Sequence, residues 1–416
     1  MLTVHEASAR ILSDVVPLPP ERVPLLDALG RVLATAVRSP VTIPAWDNSG
    51  MDGYALRAAD IADASAEHPV TLRVAETVAA GEFPSRAVEA GSATRIMTGA
   101  PIPEGADTVV RVEDTDGGVE TVTVRSARDA HCNIRPRGED VREGDEVLPA
   151  GAVLGPAQIG VLSAAGAASV DVYRRPRVAF LGSGDEVVDL DRYAEVIAGR
   201  KILSSNSYTL HTMIVTAGGT PVNLGTARDD PADLRERLTR ARGADLLVTT
   251  AGVSVGAFDY TRDVLRDLGA EMRFWKVRMR PGAPIGFGMV HGAPWIGLPG
   301  NPVSTMVTFE LFVRPVIRRM CGETRIFPRT VPVRLEEPVS TSSGLVHFLR
   351  AIVTPQADGT FSARLTGPQG SGILSSMAKA NALIVVPEER THNAAGDELR
   401  AILLGESAGL TDRFLS

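Results

Sequence analysis

Apolar residues recur at helical spacing in the first fifteen positions. Val4, Ala7, Ile11 and Val15 fall on one face, and Glu6, Arg10 and Asp14 interrupt the remainder, which predicts an amphipathic helix over residues 2–15. A second helix is expected over residues 25–35, after the proline-rich VPLPPERVP. The apolar period then drops to two. TLRVAETV, SATRIMTGA, DTVVRVED and VETVTVRS are rich in Val and Thr and are separated by Gly, Pro and Asp, so residues 70–125 should form a small all-β segment. Just ahead of it, DNSGMDGYA (47–55) reads as too polar for a buried strand and too glycine-rich for a helix interior. A turn is expected there. Residues 133–154 are charged and turn-rich, and a helix should follow over 156–165 with Pro156 in its first turn. That helix is expected to return to the first helical region, making the β segment an insertion.

From Arg177 onward, strand and helix patterns alternate. RVAFLGSGDEVV, TPVNLGTARDD and ADLLVTTAGVSVG read as strands running into loops. SNSYTLHTMIVTAG, PADLRERLTRAR and DYTRDVLRDLGA read as helices between them. Strands alternating with helices of this length imply a parallel-rich sheet covered on both faces. FWKVRMRPGAP is expected as a further strand, and one long helix over residues 302–321. From about residue 326 the pattern is again β. The fold class is thus multidomain α/β plus β.

Composition narrows the function classes. A chain of 416 residues is too long for one core. A formal charge of −7 gives no reason to expect nucleic acid or an anionic membrane as partner. The two cysteines, Cys132 and Cys321, lack metal-site spacing, and the seven histidines show no paired motif. No apolar run approaches the about 18–20 residues of a membrane span, and MLTVHEASARILSDVV does not read as a signal peptide. A cytoplasmic location is the expectation.

Three loops follow strands and can present backbone N–H groups to an anion. They are LGSGDE (181–186), with Gly182, Ser183, Gly184 and Asp185; TAGVSVGAFDY (250–260), with Gly252, Val253, Ser254 and Gly256; and LPGNPVS (298–304), with Pro299, Gly300, Asn301, Pro302 and Ser304. None matches a dinucleotide or P-loop pattern. Acids gather at the same loops: Asp185, Glu186, Asp229 and Asp259, with Asp52 and Asp140 from the earlier segment. Oxygen donors with few histidines favour a hard ion such as Mg²⁺. The same acids also read as helix caps, and Asp230 ahead of Pro231 is better read that way. Lysine stands only at Lys201, Lys276 and Lys379 among 43 basic residues. Lys276, Arg278 and Arg280 alternate along the FWKVRMRPG strand, where they suit either an oxyanion site or a charged sheet edge.

NSGMDGYA, RIMTGAPIPEGADTVV, RGEDVREGDEVL, GSGDEV, the Asn206-Ser207 helix start, RDDP, AGVSVGAFDY, WKVRMRPGAP, GLPGNPVS and GSGILSSMAKANALI occur in the order found in the MoeA family, which includes the E domain of gephyrin. The resemblance covers essentially the whole chain. It implies an elongated homodimer of four domains: a helical and extended domain (1–45 and 140–174), an inserted β-rich lid (46–139), a MogA-like α/β domain (175–325) and a C-terminal β-barrel (326–416). It further implies Mg²⁺-dependent insertion of molybdate into adenylylated molybdopterin with release of AMP, at a site between the α/β domain of one subunit and the lid of the other. The molybdopterin adenylyltransferase and apo-molybdoenzymes are implied partners. By motif, Asp52, Thr98, Arg135 and Asp140 come from the lid, and Glu186, Asp229 and Asp259 are the implied metal ligands. Lys276 and Arg280 match basic positions of the site, and Ser304, Arg350 and Ser371 match positions that hold molybdate or line its approach. One departure is sharp. The family's KPGKP reads RPGAP here, so Ala283 replaces a lysine. Either Arg278 supplies the lost charge or molybdate affinity falls. The alternative reading is a gephyrin-like interaction scaffold with weakened catalysis.

Overall fold

The computed structural model describes residues 1–251 and 260–405. They form two compact units. One comprises Met1–Glu21, Gly30–Ala34 and the chain from Asp171 onward; the other comprises Arg22–Leu29 and Thr35–Val170.

The first unit is built on a six-stranded sheet. Thr220–Ala227, Arg177–Ser183, Leu246–Thr250 and Ala293–Leu298 lie side by side in parallel, followed by antiparallel Gly286–Val290 and Glu271–Phe274. The near-continuous apolar runs of the central strands follow from burial on both faces. Side chains alternate between them: Val178, Phe180, Leu246 and Val248 pack with Leu210, Met213 and Ile214 of the helix Ser205–Thr216. Ala179, Leu181 and Leu247 face the opposite way, onto Leu234 and Leu238 of Pro231–Thr239 and Val264 and Leu265 of Thr261–Asp267. The expected parallel-rich sheet with two covered faces is therefore present. Asp230 caps the helix Pro231–Thr239 through Ala232 N–H, as its place before Pro231 suggests.

The N-terminal helix runs Val4–Leu12. Thr3 and Glu6 close a reciprocal capping box at its start, and Ala7, Ile11, Leu12 and Val15 are buried against the same core. The helix expected over 302–321 contains a wide π-turn, Phe309–Val313, between Pro302–Thr308 and Arg314–Met320. Pro315 explains it: the residue has no N–H to donate and its ring crowds the carbonyl one turn back.

A second sheet closes on itself. Val346–Pro355, Phe361–Leu365, Thr330–Leu335, Glu398–Leu403 and Ala382–Val386 form a five-stranded barrel, filled by Leu335, Ala351, Val353, Ile384 and Ala401. FWKVRMRPG is not one strand. Glu271–Phe274 edges the α/β sheet, whereas Met279–Arg280 pairs with Val346 and His347 of the barrel. Between them, Arg278 N–H donates to Leu2 O and Val277 N–H to Ala283 O, which draws the chain off the first sheet.

In the second unit, Thr108–Arg111, Gly53–Leu56, Ser92–Ile96, Val70–Val78 and Thr121–Val124 form a five-stranded sheet in that order. DNSGMDGYA is thus more than a turn. Asn48–Ser49 pairs with Ile134–Arg135, and Gly53–Leu56 is a buried inner strand. Gly53 makes this possible, because a Cβ there would lie 2.0 Å from the Val110 carbonyl oxygen. Tyr54 is fully buried and its hydroxyl donates to Gly118 O at 2.8 Å. Val37–Arg38 pairs with Glu146–Leu148, and Ile43 bridges Val141, so the chain on either side of this sheet comes back together. The helix Pro156–Ala164 forms as expected. The helix expected over 25–35 does not; only the 3-10 turn Leu25–Ala28 is helical, and Gly30 follows at φ +73°.

Candidate functional site

Arg177–Ser183 is followed by an outer strand on one side of the sheet, and the chain then crosses to Leu246–Thr250 on the other. The carboxyl ends of these two strands form the topological switch point, where open α/β sheets bind ligands. A cavity of about 430 Å³ lies here, lined by Gly182, Ser183, Glu186, Thr250, Ala251, Pro299, Gly300, Asn301 and Pro302, with Ile202–Asn206 opposite. Two of the three expected loops therefore share one wall. Gly252, Val253, Ser254, Gly256 and Asp259, expected in the third, lie outside the described residues.

The loops are held by their own polar groups. Asp185 and Asp229 exchange backbone-to-carboxylate hydrogen bonds at 3.4 and 3.3 Å, which fixes the loop carrying Glu186 beside the loop carrying Asp229. Lys201 donates to Asp185 O at 2.6 Å. Gly184 adopts φ +132°, and a Cβ there would meet the Glu186 carboxylate at 2.7 Å. Asn206 donates to Gly300 O at 2.8 Å while its Oδ1 is buried without a donor. The place of Asn206 at a helix start was the sequence signal for it, and Thr250 opens one of the expected loops; Ile202 carried none.

A second cavity, about 480 Å³, is walled by Arg280, Ser340, Thr341, Ser342, His347, Arg350 and Gln369. Arg350 is fully buried. Its guanidinium donates to Ser376 Oγ and to the carbonyls of Gln369, Pro368 and Gly370, at 3.0–3.2 Å, and burial lowers its pKa. Arg350 thus organises the loop that ends at Ser371, whose hydroxyl accepts from Asn301 Nδ2 at 3.0 Å and whose carbonyl accepts from Val303 N–H. Ser304 is buried in the helix that follows Asn301. Burial, and the nearby Arg280, lower the His347 pKa against a hydrogen bond with Ser342 that raises it. Ser340–Ser342 and His347 were not anticipated from sequence, since serines in a turn and one strand histidine have ordinary structural uses. Lys276 is exposed. Arg278 is ion-paired with Glu388 at 3.6 Å, so its charge is already partly committed.

On the five-stranded unit, Asp52 Oδ1 accepts both the N–H and the hydroxyl of Thr98 at 2.7 Å. These bonds, the backbone one foremost, hold its carboxyl below the usual range. Arg135 pairs with Asn48 in the adjoining ladder, and Asp140 N–H donates to Ile43 O. Asp52, Thr98, Arg135 and Asp140 are all exposed.

A larger groove, about 830 Å³, runs beside the N-terminal helix and is lined mainly by Val4, Ala9, Leu12, Leu311, Phe348 and Val385. Among the described residues its lining holds no acid, its arginine Arg319 donates to Leu12 O at 3.4 Å, and it shares Phe348 with the second cavity.

An α/β crevice with acidic, glycine-rich walls beside a cationic, hydroxyl-lined cavity defines a class: enzymes that handle phosphorylated or oxyanionic small molecules. Comparisons with known proteins make this specific. Residues 2–166 match the MoeA N-terminal region (domain I and II), residues 179–319 the "Probable molybdopterin binding domain", and residues 332–404 the MoeA C-terminal region (domain IV). The chain is 39% identical over 408 residues to molybdopterin molybdenumtransferase 2 of Mycobacterium tuberculosis, covering 96% of this chain and 99% of that one. It is 35% identical over 414 residues to the molybdopterin molybdenumtransferase of Nostoc, covering 95% and 93%. The crystal structure of a molybdopterin biosynthesis MoeA protein from Pyrococcus horikoshii superposes with a TM-score of 0.82 at 29% identity, covering 97% of this chain and all of that one. The chain belongs to the MoeA family. Among the described residues no helix is long and apolar enough to cross a membrane.

Proposed function

We propose that this protein is a molybdopterin molybdenumtransferase of molybdenum cofactor biosynthesis, taking adenylylated molybdopterin and molybdate and releasing molybdenum cofactor and AMP. The observation that carries the reading is the crevice at the switch point, where glycine-rich backbone, Glu186 and the Asp185–Asp229 pair meet the start of a twelve-residue helix.

The donor set suits Mg²⁺. Glu186 and Asp229 offer hard carboxylate oxygens on adjoining loops, and Asp259 belongs to the same motif set. Among the described residues no three His, Cys, Asp or Glu are grouped as a metal cluster; Mg²⁺ commonly takes one or two carboxylates plus substrate phosphate. Bound there, Mg²⁺ would offset phosphate charge as the adenylate bond opens. The remaining work falls to the chain itself. The Gly182–Gly184 turn, Asn206 and Asn301 orient the substrate in the crevice. Arg280, and Ser371 placed by Arg350, receive molybdate as a dianion through cationic and hydroxyl donors. Lys276 adds positive charge on the same segment as Arg280. Asp52, kept ionised by Thr98, acts with Arg135 and Asp140 in the assembled homodimer.

The division into four domains, with 46–139 inserted between 1–45 and 140–174, belongs to this reading, and the pairing of Val37–Arg38 with Glu146–Leu148 supports it. So do transfers from the molybdopterin adenylyltransferase and on to apo-molybdoenzymes. The test is reconstitution. Purified protein, adenylylated molybdopterin, Mg²⁺ and molybdate should activate an apo-molybdoenzyme, and Glu186→Gln should raise the Mg²⁺ needed for half-maximal activation. Failure of the wild type to transfer cofactor even at high molybdate would sink the reading and favour the scaffold alternative.

A further inference from the structure

The cavity in the barrel wall holds a titratable group. His347 lines it and is only 5% exposed. Its Nε2 lies 3.1 Å from both the carbonyl oxygen and the hydroxyl of Ser342. A carbonyl can only accept, so Nε2 carries the proton and Nδ1 is the nitrogen that titrates. Nδ1 has no hydrogen-bond partner among the described residues. With Nε2 already donating, the Ser342 hydroxyl is free to turn its own proton elsewhere, and Ser340 brings a second hydroxyl to the same wall.

The charged groups around His347 are mostly committed elsewhere. On the paired strand Ala382–Val386 side, where His347 faces Val386, the next acid is Glu388, and it is ion-paired with Arg278 at 3.6 Å. His392 bonds to Ser340 Oγ at 2.9 Å, and Arg390 ahead of it donates to Glu398 O. Arg350, on the same strand as His347, gives its donors to Ser376 and three carbonyls. Arg280 is different. It sits opposite His347 in the parallel pairing of Met279–Arg280 with Val346–Pro355, lines the same cavity, and has no carboxylate within ion-pair distance among the described residues. Burial foremost, with Arg280 acting in the same sense, therefore disfavours charge on His347 while the Ser342 bond opposes them.

A dianion entering the cavity reverses that balance. It pairs with Arg280, accepts from the Ser342 hydroxyl and gives Nδ1–H an acceptor, which makes the imidazolium the favoured form. We propose that this cavity is a proton-linked oxyanion site, in which a tetrahedral dianion held by Arg280 and the Ser342 hydroxyl binds together with a proton on His347 Nδ1. The dianion is molybdate, an assignment that rests on the function proposed above, and its affinity rises as pH falls. Below the titration of the empty site His347 is charged with or without the anion, and above that of the filled site it is neutral in both, so affinity is flat at either end. Between the two, each unit of pH lost tightens binding by up to about tenfold. His347 sets affinity and takes no part in bond breaking.

The experiment is titration calorimetry of the full chain with sodium molybdate and, separately, sodium sulfate, from about pH 6 to about pH 8. Both anions keep two charges over this range, and two buffers of different ionisation enthalpy count the protons. The wild type should bind molybdate about tenfold tighter at the acid end and take up a fraction of one proton at neutral pH. His347→Gln, whose side-chain amide can still donate to the Ser342 carbonyl, should lose the pH dependence and bind as the wild type does at the alkaline end. His392→Gln should keep the wild-type slope. Molybdate binding without proton uptake in the wild type overturns the inference whatever a variant does, and so does a His347→Gln protein with the wild-type slope; in either case intact molybdenum insertion leaves the proposed activity standing. Proton-linked binding of sulfate but not molybdate upholds the oxyanion site and overturns molybdate as its occupant. Proton-linked binding without insertion sinks the proposed activity and upholds the site. A wild type that binds neither anion overturns the site.

Discussion

Replacing Arg350 with lysine keeps a positive charge but not a guanidinium fork, and the structure sets the consequence. The guanidinium donates to one hydroxyl and three consecutive backbone carbonyls, those of Pro368, Gln369 and Gly370. A lysine ammonium is a single point and cannot meet acceptors spread along a turn. At least two carbonyls lose their donor, at about 1–3 kcal/mol each for groups left unpaired. Pro368 and Gly370 are themselves exposed, so water recovers part of this, and a net loss of about 2–4 kcal/mol is expected. For a domain of this size that lowers the melting temperature by roughly 5–15 °C. The loop's end carries Ser371, which is bonded to Asn301 and Val303, so the molybdate concentration for half-maximal insertion should rise while the KM for adenylylated molybdopterin changes little. The assays are a thermal melt and reconstitution over a molybdate series. An Arg350→Lys protein that melts with the wild type and needs no extra molybdate would refute the reasoning, because Arg350 would then neither brace the loop nor place Ser371.

Asp52→Asn should leave the fold intact, since the amide oxygen can still accept from Thr98, yet lower insertion by roughly 100–10,000-fold if the carboxylate acts in general acid–base catalysis; full activity would leave the stretch with no chemical role. Because hydrogen bonds depress the Asp52 pKa, its charged form persists as pH falls below the usual aspartate range and is lost only through the lowered folded value. Gly53→Ala places a Cβ 2.0 Å from Val110 O and should destabilise the five-stranded sheet by roughly 1–3 kcal/mol or more, read by chemical denaturation. For His347 the folded pKa is lowered, so the unfolded chain takes the proton first and this contribution to stability fades as pH drops through about 6.5. His347→Gln should flatten the stability-versus-pH curve in that window.

Local pattern carried much of the architecture. The first helix was legible because Val4, Ala7 and Ile11 repeat at helical spacing within the first turns; its Thr3–Glu6 cap emerged only in the structure. The parallel-rich sheet was legible because strand and helix patterns alternate in order. The glycine-rich loops could be placed at strand ends for the same reason. The inner strand Gly53–Leu56 was hidden, since its polar neighbours suggest a turn and its burial comes from Thr108–Arg111, some fifty residues away. The FWKVRMRPG stretch was misjudged because two sheets compete for it, and Leu2 and Ala283 decide where it leaves the first. The helix expected over residues 25–35 ends after one 3-10 turn, and Gly30 follows at φ +73°.

Chemistry divided in the same way. The sequence by itself determined which residue types were available: acids and glycines at strand ends, a chain nearly free of lysine, and ordered motifs matching one family. Tertiary structure decided what each was free to do. It buried Arg350 among carbonyls, tied Arg278 to Glu388, locked Asp185 against Asp229, and left the Trp46 and Phe83 rings partly in solvent. Residue type and spacing are local properties of the chain, whereas burial and pairing depend on partners brought from distant positions by folding.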